Sequence, residues 1–121
     1  MSKNMEISFL LDFYGEMLTE KQRTMVDYYY NEDLSLAEIA ENEGITRQGV
    51  RDSIKRAEAQ LLEMEERLAL AARFRRMKED LLIVEACAQN LRQVNERNGR
   101  ILEIEEIAAT IQAAAERMTD A

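Results

Sequence analysis

A length of 121 residues and a mass of 14.0 kDa limit the chain to about one domain with an appendage, because domains usually contain about 100 to 200 residues. Of these residues, 46% are hydrophobic and 33% are charged, which excludes a chain that is disordered throughout and one that is embedded in a membrane. Proline and tryptophan are absent, and there are only four glycines. The composition therefore predicts a soluble, all-α protein.

No segment of the sequence has the character of a membrane anchor or an export signal. The uninterrupted apolar runs, such as Leu81 to Val84, are far shorter than the roughly 18 residues needed to cross a bilayer. The first residues, Met1 to Glu6, lack the basic and apolar regions of a signal peptide. We therefore expect no membrane insertion and a cytoplasmic location. The single cysteine, Cys87, has no partner for a disulfide, and we expect it to be a small buried apolar residue.

The formal charge of -8 is distributed unevenly along the chain. Residues 1–44 carry 3 basic and 10 acidic side chains, whereas residues 45–60 carry 4 basic and 2 acidic ones. Such an acidic protein does not adhere to nucleic acids indiscriminately. Any contact with nucleic acid should therefore be confined to the short basic segment.

The first helices are indicated by apolar spacing and by a cap. Apolar side chains at helical spacing predict a short helix over Ile7–Met17. Thr19 then precedes Gln22 at the distance of a capping box, so a second helix is predicted to begin after Thr19 and to end near Tyr30. Of the three tyrosines at its end, one or two should be buried in the core. The alternative is that these rings form a platform on which bases stack.

A helix-turn-helix is predicted next. Ser35 and Glu38 have the spacing of a second capping box, which starts a short helix over Leu36–Asn42. Gly44 can adopt the positive φ that ends such a helix, and Thr46 can cap the helix that follows. Two helices joined by so tight a turn must cross steeply.

Three apolar stripes with steps of three and four residues follow the turn. Because they do not share one heptad phase, we expect breaks between helices near Arg73–Asp80 and at Asn98-Gly99. The second and third stripes should pair in a helical hairpin, which leaves the first for a second copy of the chain. The alternative is a monomer whose own helical bundle uses all three stripes. In order, the stripes are Ile54, Ala57, Leu61, Met64, Leu68 and Ala71; Leu81, Val84, Ala88 and Leu91; and Ile101, Ile104, Ala108, Ile111, Ala115 and Met118.

The helix after the turn has an apolar face and an adjacent polar face. Ile39, Ile45, Val50 and Ile54 are expected to fill the wedge between the two crossing helices. The helix turns by 100° per residue, which places the polar side chains on the adjacent, outward face. Their types suit DNA: arginine can pair with guanine and glutamine with adenine, while Lys55 and Arg56 suit phosphate. The candidate DNA-binding residues are Thr46, Arg47, Gln48, Arg51, Lys55 and Arg56. The alternative is a helical hairpin whose basic residues form only a solvated face.

These segments also resemble known families. L-S-L-A-E-I-A-E-N-E-G-I-T-R-Q-G-V-R resembles the helix-turn-helix of region four of bacterial sigma factors. L-L-D-F-Y-G-E-M-L-T-E-K-Q-R, Y-Y-Y-N-E-D-L-S-L and D-S-I-K-R-A-E extend the likeness to YlxM-type proteins of Gram-positive bacteria, a family proposed to bind DNA. The resemblance covers about residues 7–70. It implies a gene beside that of the signal recognition particle's GTPase and a regulatory role in that pathway.

Catalysis has little support in the sequence. Histidine is absent, no glycine-rich phosphate cradle is present, and the carboxylates occupy polar helical faces. We therefore expect neither an enzyme nor a bound cofactor or metal. The basic cluster from Arg73 to Lys78 could touch RNA or phosphate, but such charges more often mark a solvated bend.

The sequence thus predicts a helix-turn-helix module, winged-helix-like or like sigma region four, in residues 1–60, followed by long C-terminal helices in residues 61–121 that dimerise. The predicted function is a DNA-binding regulator that forms a homodimer. The alternative is an adaptor of the signal recognition particle pathway, which binds protein or RNA without specific DNA binding.

Overall fold

The computed structural model describes residues 3–120, and this part of the chain contains helices and no strand. The all-α prediction is therefore confirmed, and no β-wing accompanies the helix-turn-helix. None of the helices in the described part is long and apolar enough to cross a membrane. The helices are α1 (Glu6–Tyr14), α2 (Glu20–Tyr30), α3 (Leu36–Glu43), α4 (Arg47–Leu68), α5 (Leu70–Arg97) and α6 (Leu102–Asp120), with a 3-10 turn at Gly15–Met17.

The chain divides into two compact units, the first ending at Ala72 and the second beginning at Arg73, within α5. In the first unit, α4 packs against α1, α2 and α3. Ile54, Ala57 and Leu61 of α4 are completely buried. The long fourth helix is thus the central element of this unit, and its N-terminal turns form the second helix of the helix-turn-helix.

Two adjoining apolar clusters make up the core of the first unit. One joins α1 to the second half of α4, and it includes Ile7, Leu10 and Leu61. The other joins α2 and α3 to the first half of α4, and it includes Ile39 and Val50. Because α4 contributes to both clusters, the position of its exposed face is fixed by the whole core.

The predicted helix starts are confirmed. Thr19 and Ser35 each accept a hydrogen bond from the backbone N–H three residues later, and each is part of a complete capping box. Gly44 ends α3 in the left-handed conformation, with φ of 69°. Of the three consecutive tyrosines, Tyr29 is buried, as predicted, and edge-on to Tyr30.

The break after α4 was predicted at the wrong place. Helix α5 is continuous through residues 73–80, and the chain bends instead at Ala69, whose φ is 54°. The Glu65 carboxylate accepts hydrogen bonds at 3.0 Å from the N–H groups of Ala71 and Ala72, and it thereby caps the start of α5. The buried Tyr14 hydroxyl donates to the same carboxylate at 2.7 Å and accepts from the N–H of Leu70 at 3.0 Å.

The second unit is the predicted helical hairpin. Helix α5 ends at Arg97, and Gly99 has φ of 90°, so the break at Asn98-Gly99 is confirmed. The half-exposed guanidinium of Arg92 on α5 bonds Glu105 on α6 at 2.6 Å. This contact lowers the pKa of Glu105, mainly through the hydrogen bond. The Asn95 amide holds the turn by bonding both the N–H and the C=O of Ile101.

Alanines form the centre of the hairpin. Ala88 on α5 and Ala108 and Ala115 on α6 are almost completely buried, which allows a close approach of the two helices. Cys87, next to Ala88, is exposed, so the prediction that it is buried was wrong. The reason is one of register: a residue adjacent to a buried helical position is rotated by about 100° away from it.

The apolar stripe of α4 is used within its own chain. Ile54, Ala57 and Leu61 are fully buried in the core of the first unit, which corrects the expectation that this stripe is left for a second copy. Ile45 was also expected in the wedge between the crossing helices, yet it is 37% exposed. The wedge is instead filled by Ile39, Val50 and Ile54, together with residues of α2.

Candidate nucleic-acid interface

The candidate interface is the exposed face of the first turns of α4. Thr46 caps this helix, and its side-chain oxygen accepts a hydrogen bond of 3.0 Å from the N–H of Gly49. Behind the same turns, Val50 and Ile54 are completely buried. The two buried side chains therefore fix the rotation of α4 about its axis, and the polar residues between them must face outward.

All six candidate residues are exposed to solvent, but they do not form a single cluster. Arg47, Gln48 and Arg51, together with Leu36 of α3, line one surface depression of about 520 Å³. Thr46 lies at the cap of the helix, and its oxygen is used by the helix itself. The structure thus brings three of the predicted residues together beside α3. The set of exposed candidates is Thr46, Arg47, Gln48, Arg51, Lys55 and Arg56.

The remaining cations continue along the helix away from the depression. Lys55 is one turn beyond Arg51 and only about 40° around the helix from it. Arg56 is rotated by about a further 100° and therefore belongs to a neighbouring face. Lys55 is thus suited to extend the contact of Arg51 along a duplex, whereas Arg56 could reach only a backbone that curves around the helix.

The sequence interpretation overlooked one contact in this face. The Gln48 amide donates a hydrogen bond of 2.9 Å to the carboxylate of Asp52, one turn further along α4. The spacing of four residues is the signal that could have revealed this pair. Its consequence is that the Gln48 amide must leave Asp52, or share its protons, before it can pair with a base.

Negative charge surrounds the basic face. Helix α3, which packs against α4, carries Glu38, Glu41 and Glu43. Glu38 bonds the backbone N–H of Ser35 in the capping box, while Glu41 is simply exposed. These carboxylates would repel a phosphate backbone at α3, whereas the first turns of α4 carry Arg47 and Arg51. Among residues 3–120, no group of His, Cys, Asp or Glu side chains is arranged to hold a metal ion.

The family of this chain is shown by comparison with known proteins. Residues 1–104 match the UPF0122 family, described as "Putative helix-turn-helix protein, YlxM / p13 like". The chain belongs to the UPF0122 family. This result confirms the resemblance to YlxM-type proteins. Residues 105–120, most of α6, lie beyond the match.

Individual members of the UPF0122 family are similar over much of their length. A UPF0122 protein of Clostridium kluyveri is 49% identical over 80 residues, which are 66% of this chain and 72% of that protein. One from Halalkalibacterium halodurans is 48% identical over 81 residues, 67% of this chain and 74% of the relative. A Bacillus cereus member is 39% identical over 103 residues, covering 85% of this chain and 94% of its own length.

Proposed function

We propose that the protein is a cytoplasmic DNA-binding regulator that uses the first turns of α4 as its reading helix. The observation that carries the proposal is that this helix has a buried apolar face next to an exposed basic face. Val50 and Ile54 are fully buried, while Arg47 and Arg51 are exposed on the adjoining face, where they line a depression together with Leu36. A helix anchored in this way can present arginines to the edges of bases in a major groove.

The charge of the protein favours local contact over general adhesion. The formal net charge is -8, and the acidic α3 lies beside the reading helix. Nonspecific binding depends on many phosphate contacts, and few cations are available here to make them. We therefore expect weak binding to random DNA and measurable binding to a preferred site. Selection of genomic fragments on the full chain at moderate salt tests this; the absence of any enriched sequence would count against the proposal.

Arg51→Ala should weaken binding to the selected site by about 1–3 kcal/mol, roughly 5- to 150-fold in Kd, because a bidentate contact between arginine and guanine is lost. Lys55→Ala should weaken binding to all sequences similarly and lower its salt dependence. Fluorescence anisotropy with the selected duplex and a scrambled one measures both effects.

The matched control for Arg51→Ala is Arg67→Ala. Arg67 is an exposed arginine near the other end of α4, where it pairs with Glu63 at 3.1 Å. The same side chain is thus removed from the same helix, outside the reading turns. Equal losses for the two variants would show that general charge, and not the reading face, controls binding.

A second function is favoured by the contact between Gln48 and Asp52, which occupies the amide that would otherwise read a base. An adaptor of the signal recognition particle pathway would use the same surface to bind protein or the particle's RNA. Native pull-down from cells with the full chain separates the two functions. Recovery of particle components without DNA favours the adaptor, and recovery of a defined set of DNA fragments favours the regulator.

We also propose that the chain is a homodimer in which residues 1–60 contact DNA and the C-terminal helices within residues 61–121 pair with those of a second copy. In the hairpin, small alanines occupy the contact between α5 and α6. Larger apolar side chains on one flank of α6 remain uncovered: Ile107 is 52% exposed, Ile111 41% and Met118 51%. These three lie within about 40° of one another on the helix, so they form one stripe. A second hairpin would cover this stripe and form a four-helix bundle.

Replacing both Ile107 and Ile111 with glutamate should convert the dimer to a monomer, because two charges would then be buried in an apolar contact. Sedimentation equilibrium at tens of micromolar distinguishes the dimer from the 14.0 kDa monomer. Ala113→Glu is the control, since this exposed residue lies about 160° around α6 from Ile111 and about 120° from Ile107. A wild-type mass near that of one chain would contradict the proposal.

A further inference from the structure

A groove that is separate from the helix-turn-helix lies on the surface formed by α1, the 3-10 turn and α2. Its volume is about 850 Å³, and among the described residues its lining comes from these three elements and from Asn31, the C-cap of α2. On α2 the lining positions recur every third or fourth residue from Glu20 to Asn31. They therefore form one face of that helix and extend along it for about 16 Å at 1.5 Å per residue. The groove is thus elongated, with about the length of three helical turns.

The groove contains apolar side chains that are accessible to a partner. Met17 is 74% exposed at one end, and the half-buried rings of Phe13 and Tyr28 lie on either wall. Methionine and aromatic side chains are common where a protein surface accepts the apolar face of a helix. Because most of the lining residues remain exposed, a small molecule would be poorly enclosed, whereas a longer segment could contact the whole groove.

Acidic residues border these apolar side chains. Asp12, Glu16 and Glu20 are exposed along the groove, and none of them forms a salt bridge to another side chain within residues 3–120. Asp27 adds a fourth carboxylate, and Arg23 contributes one guanidinium. The surplus of negative charge disfavours a nucleic acid or an anionic lipid as the occupant, and it favours a segment that carries Lys or Arg.

We propose that this groove binds a basic amphipathic helix of a partner protein. The elongated shape, the accessible apolar side chains and the acidic border together correspond to recognition of a helix in a groove. Apolar side chains of the partner at i, i+4 and i+7 would contact Phe13, Met17 and Tyr28. Its Lys or Arg side chains would pair with the carboxylates at the border. Arg47, Gln48 and Arg51 lie on α4, which does not line the groove, so binding here leaves the reading face of α4 free.

The test is selection of peptides on the full-length chain. A display library of helices of about 14 residues, long enough to fill the groove, draws each position from Ala, Leu, Met, Lys, Arg, Glu and Gln. The enriched peptides should be basic, with apolar residues at helical spacing. Their affinity, measured by fluorescence anisotropy, should fall at least about tenfold in a chain carrying both Glu16→Lys and Met17→Lys, because the apolar contact of Met17 and a charge pair are lost.

Glu66→Lys is the matched control, since it reverses the charge of an exposed residue on α4 that does not line the groove. This variant should retain the wild-type affinity. Amide shifts of the wild-type chain on peptide addition provide a second measurement that needs no variant, and they should concentrate at Thr24 and Tyr28. Enrichment of peptides without net positive charge, shifts elsewhere on the chain, or equal binding by the groove variant and the control would overturn the proposal.

Discussion

Ile54→Ala should lower the free energy of unfolding of the N-terminal unit by about 2–5 kcal/mol. Ile54 is completely buried, and it packs with Ile39 and Val50 where α3 crosses α4. Truncation removes apolar contacts and leaves a cavity that the crossing helices cannot easily close. A loss of this size is a large fraction of the stability of a small domain. Urea unfolding followed by circular dichroism measures it.

Ile45→Ala provides the graded comparison. Ile45 lies next to the turn and is 37% exposed, so the same truncation removes less buried surface and should cost clearly less. The two variants also test whether Ile54, and not Ile45, fills the wedge between α3 and α4. A loss for Ile45→Ala equal to that for Ile54→Ala would mean that the turn is packed more tightly than this structure describes.

The helix starts could be predicted from the sequence because their causes are local. Thr19, Ser35 and Thr46 each satisfy a backbone N–H only three residues away, so a short motif contains both partners. Gly44 is similarly decisive, since its φ of 69° is easily adopted by glycine. These four residues place α2, α3 and α4, and with them the candidate reading face.

The bend at Ala69 could not be predicted in the same way. Alanine rarely adopts its φ of 54°, and no glycine or proline marks the site. The bend is supported by the Glu65 carboxylate, which caps α5 and accepts a bond from Tyr14. Since Tyr14 is 51 residues away from Glu65 in the chain, the cause of the break is tertiary.

The candidate site was predictable in composition but not in arrangement. Helical spacing was sufficient to place Arg47 and Arg51 on an outward face. It did not reveal that Leu36 lies beside them or that Asp52 engages Gln48. The groove along α2 was also not predicted, because its two walls come from separate helices and their distance depends on how both pack against α4.

Tyr14→Phe should lower the free energy of unfolding at neutral pH by about 1–3 kcal/mol. The Tyr14 ring is buried, and its hydroxyl donates to Glu65 at 2.7 Å and accepts from the N–H of Leu70 at 3.0 Å. Phenylalanine fills the same space, so the loss measures these two bonds and the support that they give to the bend at Ala69. Urea unfolding of the two chains at pH 7 provides the comparison.

The same variant should change how stability depends on pH above 10. Burial, and then the bond to Glu65, raise the pKa of Tyr14 above the ordinary value of 10.0. Burial and a bond to Glu58 likewise raise the pKa of Tyr30. The unfolded chain therefore releases these protons at a lower pH than the folded chain does, and the free energy of unfolding must fall as the pH rises from about 10 toward the folded pKa values. Tyr14→Phe should lose less stability over this range, and a variant that also carries Tyr30→Phe should lose less again. An identical decline in all three chains would show that the two hydroxyl groups are not held as described.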